Sequence, residues 1–265
     1  VPADLLLVTI DTLRGDRWGC LGDPSARTPV IDRVARGGLL AFEGRAPAPL
    51  TLPSHASMMT GLPPALHGVH DNGIFALSPD AGPTLAEALR SAGWTTAAFV
   101  SAFPLFRRFG LDRGFDSYDE LLGGGEDVGT GKMRERSAAE VVDRVGWWLA
   151  RKTPDPGRPL FVWVHFFDPH ADYQAPPPWP SVHPASPYDA EVAFVDHEMG
   201  RLLEVLAAGR PGWEQRLAVV SDHGEALGEH GEATHGVLLH SATLRVPLVT
   251  RSERWTPRLL SRPVP

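Results

Sequence analysis

Asp222 and His223 stand side by side after the apolar run Leu217 to Val220, within Ser221-Asp222-His223-Gly224-Glu225. A carboxylate oxygen beside an imidazole nitrogen suits a divalent cation. The same Asp could instead cap a following helix, with the imidazole merely packed. Asp11 tips the balance toward a metal: it ends another apolar run, Asp4 to Ile10, is followed by Thr12, and has no structural duty on a buried strand. A hydroxyl adds to the set. In Thr51-Leu52-Pro53-Ser54-His55, Pro53 presets a helical φ, and Ser54 to Thr60 can form a short helix ending at Gly61. Thr51 then falls in the turn before the helix N-terminus, where the peptide dipoles favour an anion. It could simply be the N-cap; beside a cation, it could ionise and act as a nucleophile.

Such residues need a scaffold that brings strand ends together. Apolar runs alternate with helical patterns along the chain, which predicts an α/β domain with a largely parallel sheet flanked by helices. Asp4–Ile10, Thr95–Ser101, Pro159–His165, Arg216–Ser221 and Val246–Thr250 read as strands. Ala138, Val141, Val142, Val145, Trp148 and Leu149 recur at three and four residue steps, and Tyr188, Val192, Val195, Met199, Leu202, Val205 and Leu206 repeat that pattern, predicting two sheet-covering helices. Polar residues just past strand C-termini converge on a ligand crevice in such sheets. Here they are Asp11, the stretch His165 to His170, and Asp222-His223. Gly123 to Gly131 reads as a flexible Gly-rich loop and not as a phosphate cradle, and Gln174 to Pro187 as an extended Pro-rich loop near the active face.

The 265 residues suggest one large domain, residues 1–265, and 43% hydrophobic against 22% charged residues supplies a substantial core. Net charge is -7 and Lys and Arg are scattered, which argues against a nucleic-acid partner. One cysteine, Cys20, cannot form an internal disulfide, and no apolar run approaches the roughly 20 residues of a membrane span. Both ends look cut, so a fragment is expected, and localisation stays open.

Four motifs in order resemble the sulfatase-like branch of the alkaline phosphatase superfamily. They are Asp11 to Gly22, Thr51 to Gly61, Phe166-Phe167-Asp168-Pro169-His170, and Ser221 to Gly231. The resemblance runs from Asp4 to about Val249 and implies an alkaline phosphatase-like fold without that family's C-terminal subdomain. It implies a divalent ion (Mg, Ca, Mn or Zn) held by Asp11, Thr12, Thr51, Asp222 and His223. One ion is favoured over two, because Asp168 and His170 lie closer together than in the two-zinc pattern. Sulfatases that use formylglycine carry Cys or Ser, then a residue, Pro, a residue and Arg. Here the first is Thr51 and the last His55, and oxidised threonine would be a ketone, so no formylglycine can form.

The resemblance therefore implies attack on phosphorus by Thr51, in a hydrolase or transferase acting on a phosphodiester or phosphonate ester of a small molecule, lipid or glycan. By position, Asn72, His55, His170 and His235 would contact substrate, with His170 or His235 protonating the leaving oxygen, and Ser101 falls near a further contact. Asp71-Asn72-Gly73 is also an ordinary turn sequence. Alternatives are a sulfuric ester hydrolase without formylglycine and an inactive anion-binding domain. Among the remaining residues, His165 is expected on a strand behind the ligands. Glu225, Glu229 and His230 could orient ligands or serve as solvated or capping residues.

Overall fold

A computed structural model describes residues 3–120, 135–152 and 154–260. The strands are β1 (Ala3–Ile10), β2 (Leu39–Arg45), β3 (Thr95–Phe99), β4 (Ser117–Asp119), β5 (Leu160–Phe166), β6 (Glu214–Ser221), β7 (Arg245–Arg251) and β8 (Arg258–Leu260). They form one sheet in the order β4-β3-β5-β1-β6-β7-β2-β8. β1 runs parallel to β5 and β6, and β3 parallel to β4 and β5, whereas β7 is antiparallel to both β6 and β2. The expected mainly parallel α/β sheet is thus present, with an antiparallel insertion at β7. The helices are α1 (Pro29–Arg36), α2 (Thr51–Thr60), α3 (Pro64–His67), α4 (Leu85–Ser91), α5 (Ala138–Lys152), α6 (Trp179–Val182), α7 (Pro187–Gly209) and α8 (Ser241–Leu244).

Period-2 alternation along the central strands assigns each residue to a face. Leu6, Val8 and Ile10 of β1 join Leu160, Val162, Val164 and Phe166 of β5 in the larger core, under Val141 and Val145 of α5 and Val192, Met199 and Leu202 of α7. Leu5 and Leu7, with Phe161 and Trp163, face the second core, where Leu52, Ala56 and Met59 of α2 pack. Thr9 and His165 continue this second alternation, so both point to the face covered by α2. Each buried aliphatic or aromatic side chain contributes about 1.5–3 kcal/mol, so the two-sided burial anchors β1, β5 and β6.

Strand register is fixed from the far end. Asp4 accepts from Arg210 Nε at 2.9 Å and Nη2 at 3.0 Å, and from the Leu160 amide at 2.8 Å. This buried clamp aligns the starts of β1 and β5, and their ends come out level, with Ile10 opposite Phe166 on one side and Ser221 on the other. Three strand ends therefore present Asp11, Phe167 and Asp222 side by side.

All five expected strands occur, with ends shifted by one or two residues. The two expected helices are α5 and α7, and their buried faces use the anticipated residues, except that Val205 is only partly buried. The Pro-rich stretch from Gln174 contains the single-turn helix α6. The Gly123–Gly131 loop lies outside the described residues. No helix among the described residues is long and apolar enough to cross a membrane.

Candidate active site

The metal-type ligands form a single buried constellation. Asp11, Asp222 and His223 have no solvent exposure, and their ligand atoms lie within 4.8 Å of one another. His223 Nε2 is 3.5 Å from both Asp11 Oδ1 and Asp222 Oδ2. The backs of these side chains are tied to protein: His223 Nδ1 donates to Gly224 O at 3.0 Å, and Asp222 Oδ1 accepts from the amides of His223 and Thr12 at 2.8 and 3.3 Å. Their fronts are bare. Asp11 Oδ1 and Oδ2, Asp222 Oδ2, His223 Nε2 and His165 Nε2 are all buried without a hydrogen-bond partner. Orphaned buried polar atoms cost about 1–3 kcal/mol each, more when charged. Four of the five belong to the Asp11, Asp222 and His223 group, and that cluster of oxygen and nitrogen donors fits a divalent cation.

The electrostatics agree. Burial pushes Asp222 far above the usual carboxylate range, and the Asp11 charge beside it adds to that rise. Burial opposes ionisation of Asp11 too, but His165, His170 and His223 around it hold it well below the usual range. Burial lowers His223 to about 4, leaving it neutral at physiological pH, as a metal-binding imidazole must be.

Local structure explains these positions. Ser221 Oγ lies 2.9 Å from Ile10 O and 2.6 Å from His223 O, and it accepts from the Leu13 amide at 3.0 Å, which staples the ends of β1 and β6. Gly224 is required because a Cβ there would sit 2.0 Å from Ala242 O. Thr12 takes a left-handed φ of 52° that turns the chain sharply after Asp11. Its hydroxyl donates to Pro169 O, so in place of the expected ligand role Thr12 acts through its backbone and tethers the β5 loop. Arg14, buried, binds Asp16, Glu229 and the carbonyl of Glu225. Glu229 is thereby a partner of Arg14, 2.8 Å away, and not a ligand.

Thr51 is the first residue of α2, not part of the preceding turn; Leu50 occupies the N-cap in an extended conformation without a side-chain cap. The simple capping role for Thr51 is thereby removed. Gly61, at φ 71°, ends the helix as expected. Thr51 is 3% exposed, and among the described residues no hydrogen bond engages its hydroxyl. Asn72 Oδ1 accepts from the Leu52 amide at 2.8 Å, which supplies the missing cap and leaves the Nδ2 hydrogens beside the helix head.

His55 corrects an expectation. It is fully buried, with Nδ1 donating to Thr51 O at 2.8 Å and Nε2 accepting from Thr9 Oγ1 at 3.0 Å. Burial, with His165 nearby, lowers it to about 3. In place of substrate contact it supports the Thr51 backbone, with Asp222 Oδ2 3.7 Å from Nδ1. Ser101 is likewise buried: its hydroxyl donates to His165 O at 2.7 Å and lies 2.8 Å from His165 Nδ1, so it is not a substrate contact. Asp168 turns away, accepting from the Ala138 amide at the head of α5 at 2.7 Å.

His170 and His235 meet at the mouth. Their rings lie 5.1 Å apart, and His235 is 4.4 Å from the His223 ring. His170 stacks on Phe167 and donates Nδ1 to Ala171 O at 2.7 Å, leaving Nε2 available. His235 Nδ1 is 3.0 Å from Glu225 Oε1, and Tyr173 donates to Glu225 Oε2 at 3.1 Å. Burial pulls His235 down, but the hydrogen bond and charge of Glu225 raise it above its ordinary value. A Cβ at Gly236 would lie 3.3 Å from Leu50 Cδ2, so the His235 loop abuts the head of α2. Glu225, fully buried behind His235, is the orienting carboxylate that its neighbourhood in sequence left open.

A nucleophile-type hydroxyl at a helix head, strand-end carboxylates and imidazoles, and a mainly parallel sheet define an alkaline phosphatase-like sulfatase fold. The chain belongs to the sulfatase family, whose family model matches residues 3–262. It is 24% identical to a sulfatase of Formosa agariphila, over 92% of this chain and 63% of that protein. A 105-residue stretch is 35% identical to mouse (Mus musculus) steryl-sulfatase, covering 36% of this chain and 17% of that enzyme. The chain thus spans less than two thirds of the length of these relatives. Among solved structures it is similar to the phosphonate monoester hydrolase of Agrobacterium radiobacter, with a TM-score of 0.76, 20% identity, and 98% of this chain and 70% of that one covered. A putative sulfatase from Bacteroides fragilis gives a TM-score of 0.77 at 20% identity, over 97% and 70%. Sulfatase family members generally bind a divalent metal ion, and the Asp11, Asp222 and His223 cluster could hold one.

Proposed function

We propose that the protein is a metal-dependent esterase acting on phosphodiesters or phosphonate monoesters, with Thr51 as nucleophile. The observation that carries this is the unengaged Thr51 hydroxyl at the head of α2, on a helix whose first turn is joined through His55 to the buried Asp11, Asp222 and His223 cluster. One ion held by Asp11, Asp222 and His223, with the Thr51 hydroxyl as a further oxygen donor, would favour the ionised hydroxyl and offset charge on the phosphoryl oxygens. Thr51 Oγ then attacks phosphorus: the new P–O bond to threonine forms as the bond to the leaving oxygen breaks. His235, whose charged form the Glu225 carboxylate favours, gives its proton to that oxygen; in the second step it takes a proton from the attacking water as the bond from phosphorus to Thr51 Oγ breaks, which regenerates the ionised hydroxyl. The Asn72 amide donates toward the equatorial oxygens, with the His170 ring beside them. Acceptance of the phosphoryl group by an alcohol would make the same site a transferase.

Family membership favours a second reading, hydrolysis of sulfate esters. Thr51 cannot expel sulfate by collapsing to a carbonyl, and the site has His55 and His235 where formylglycine sulfatases carry Arg and Lys, which suits a monoanionic diester. The test is parallel kcat/KM measurement on an aryl phosphodiester, an aryl phosphonate monoester and the matching aryl sulfate, with this chain and a longer version. Faster phosphorus-ester turnover, lost in a folded Thr51→Ala protein, is expected. Preference for the sulfate, or full activity without the hydroxyl, would reject Thr51 phosphoryl transfer.

A further inference from the structure

The sequence places His165 on a strand, and pairing with β1 sets it opposite Thr9, two residues before Asp11. It has no solvent exposure. Its Nδ1 is 2.8 Å from Ser101 Oγ, and that hydroxyl has one proton, which it donates to the His165 carbonyl at 2.7 Å. Ser101 must therefore accept at Nδ1, so Nδ1 carries a hydrogen. The other nitrogen, Nε2, lies 3.5 Å from Asp11 Oδ2, and both atoms lack hydrogen-bond partners. Two bare electron-rich atoms facing each other in a dry interior repel unless a proton on Nε2 or a metal ion lies between them.

His165 and Asp222 also fall into a second group of potential ligands with His55. His55 is disqualified, because Nδ1 donates to Thr51 O and Nε2 accepts from Thr9. The two groups share Asp222, and Asp11 lies between the two imidazoles, with His165 Nε2 3.5 Å from Oδ2 and His223 Nε2 3.5 Å from Oδ1.

We propose that His165 Nε2 is a further ligand of the metal, making the protein's donor set two carboxylates and two imidazoles, with Ser101 fixing the tautomer from behind. This rests on the metal centre proposed above but goes beyond it, because it selects the class of ion. Two nitrogen donors favour zinc or cobalt over calcium and magnesium, which prefer all-oxygen shells. Hydrogen bonding of the remote ring nitrogen is the usual device that orients a ligating histidine.

The test is metal binding, measured by chelator competition with Zn2+, Co2+ and Ca2+ and by the visible absorption of the Co2+ form. His165→Asn is expected to weaken Zn2+ and Co2+ binding by about 100-fold and Ca2+ binding much less, and His165→Asp to swing preference toward Ca2+. Ser101→Ala, which keeps the ring, is expected to cost about 10-fold for Zn2+. Should the buried His165 variants fail to fold, Ser101→Ala decides alone. Unchanged affinity ratios and an unchanged Co2+ spectrum in folded variants would overturn the ligand role and leave His165 as a counter-charge to Asp11. If Asp222→Asn and His223→Ala abolish Zn2+ binding while His165 variants do not, only this inference fails. If the unmodified protein binds none of the ions, the metal centre itself is refuted.

Discussion

Replacing Thr9 by Val tests the hydrogen-bonded floor under Thr51. Thr9 is fully buried, and its hydroxyl does two things: it donates to His55 Nε2 at 3.0 Å and accepts from Trp163 Nε1 at 3.0 Å. Valine has nearly the same shape and can do neither. Each stranded group costs about 1–3 kcal/mol, and the added methyl returns about 0.8 kcal/mol of apolar burial, so the net loss is about 1–5 kcal/mol, centred near 3. Thr9→Ser keeps both bonds and loses one methyl, for about 1 kcal/mol. Urea denaturation of the three proteins gives the difference directly, and a shift in midpoint without a change in slope identifies a true stability effect. The Val protein should also turn over more slowly, because an unrestrained His55 no longer holds the Thr51 carbonyl. A Thr9→Val protein as stable as Thr9→Ser would refute the network and, with it, the assigned tautomer of His55.

Three further outcomes follow from charge and metal. Glu225→Gln removes the charge that raises His235, so the alkaline limb of the kcat/KM profile, where a general acid loses its proton, should move to lower pH; an unmoved limb would exclude His235 as the acid. Asp168 is raised to about 6, mainly by burial, so its protonated form stabilises the fold at acid pH and that contribution disappears as pH climbs through 6. Relative to Asp168→Asn, the native protein should lose up to about 3 kcal/mol between about pH 4 and 7, measured by denaturation at each pH. Chelation should abolish activity and lower Tm, and refilling to about 100 times Kd should restore about 2.7 kcal/mol of stability; an identical melt with and without metal would argue against the site.

Much of this was legible in residue types and order. Asp11, Asp222 and His223 are legible because each follows a continuous apolar run, and a carboxylate at the end of a buried strand has few other uses. The helices α5 and α7 are legible from their period. β2 is hidden because Glu43 and Gly44 interrupt it, at a register shift between Ala41 and Gly44, and β4 and β8 have only three residues each. The orientation of His55 and the roles of His165, Ser101 and Glu225 depend on contacts between segments distant in sequence, such as Ser101 with His165. His165 alone left a usable trace: it sits in the same alternation as Phe161 and Trp163, and pairing β5 with β1 puts it on the side of Thr9 and Asp11.

The buried His55 also constrains how this chain could change over time. A formylglycine sulfatase needs Cys or Ser at the nucleophile position and an arginine four residues later, because the modifying enzyme reads both. A single codon change at Thr51 would therefore supply a thiol or hydroxyl that no maturation enzyme recognises. Adding the change His55→Arg would force a longer, permanently charged side chain into the niche where a neutral ring sits between Thr9, Trp163 and Asp222. The niche offers Asp222 as a counter-charge but would draw it away from Asp11 and His223. On the threonine mechanism proposed above, a change to the formylglycine strategy takes at least two substitutions, and the packing around His55 stands against the second.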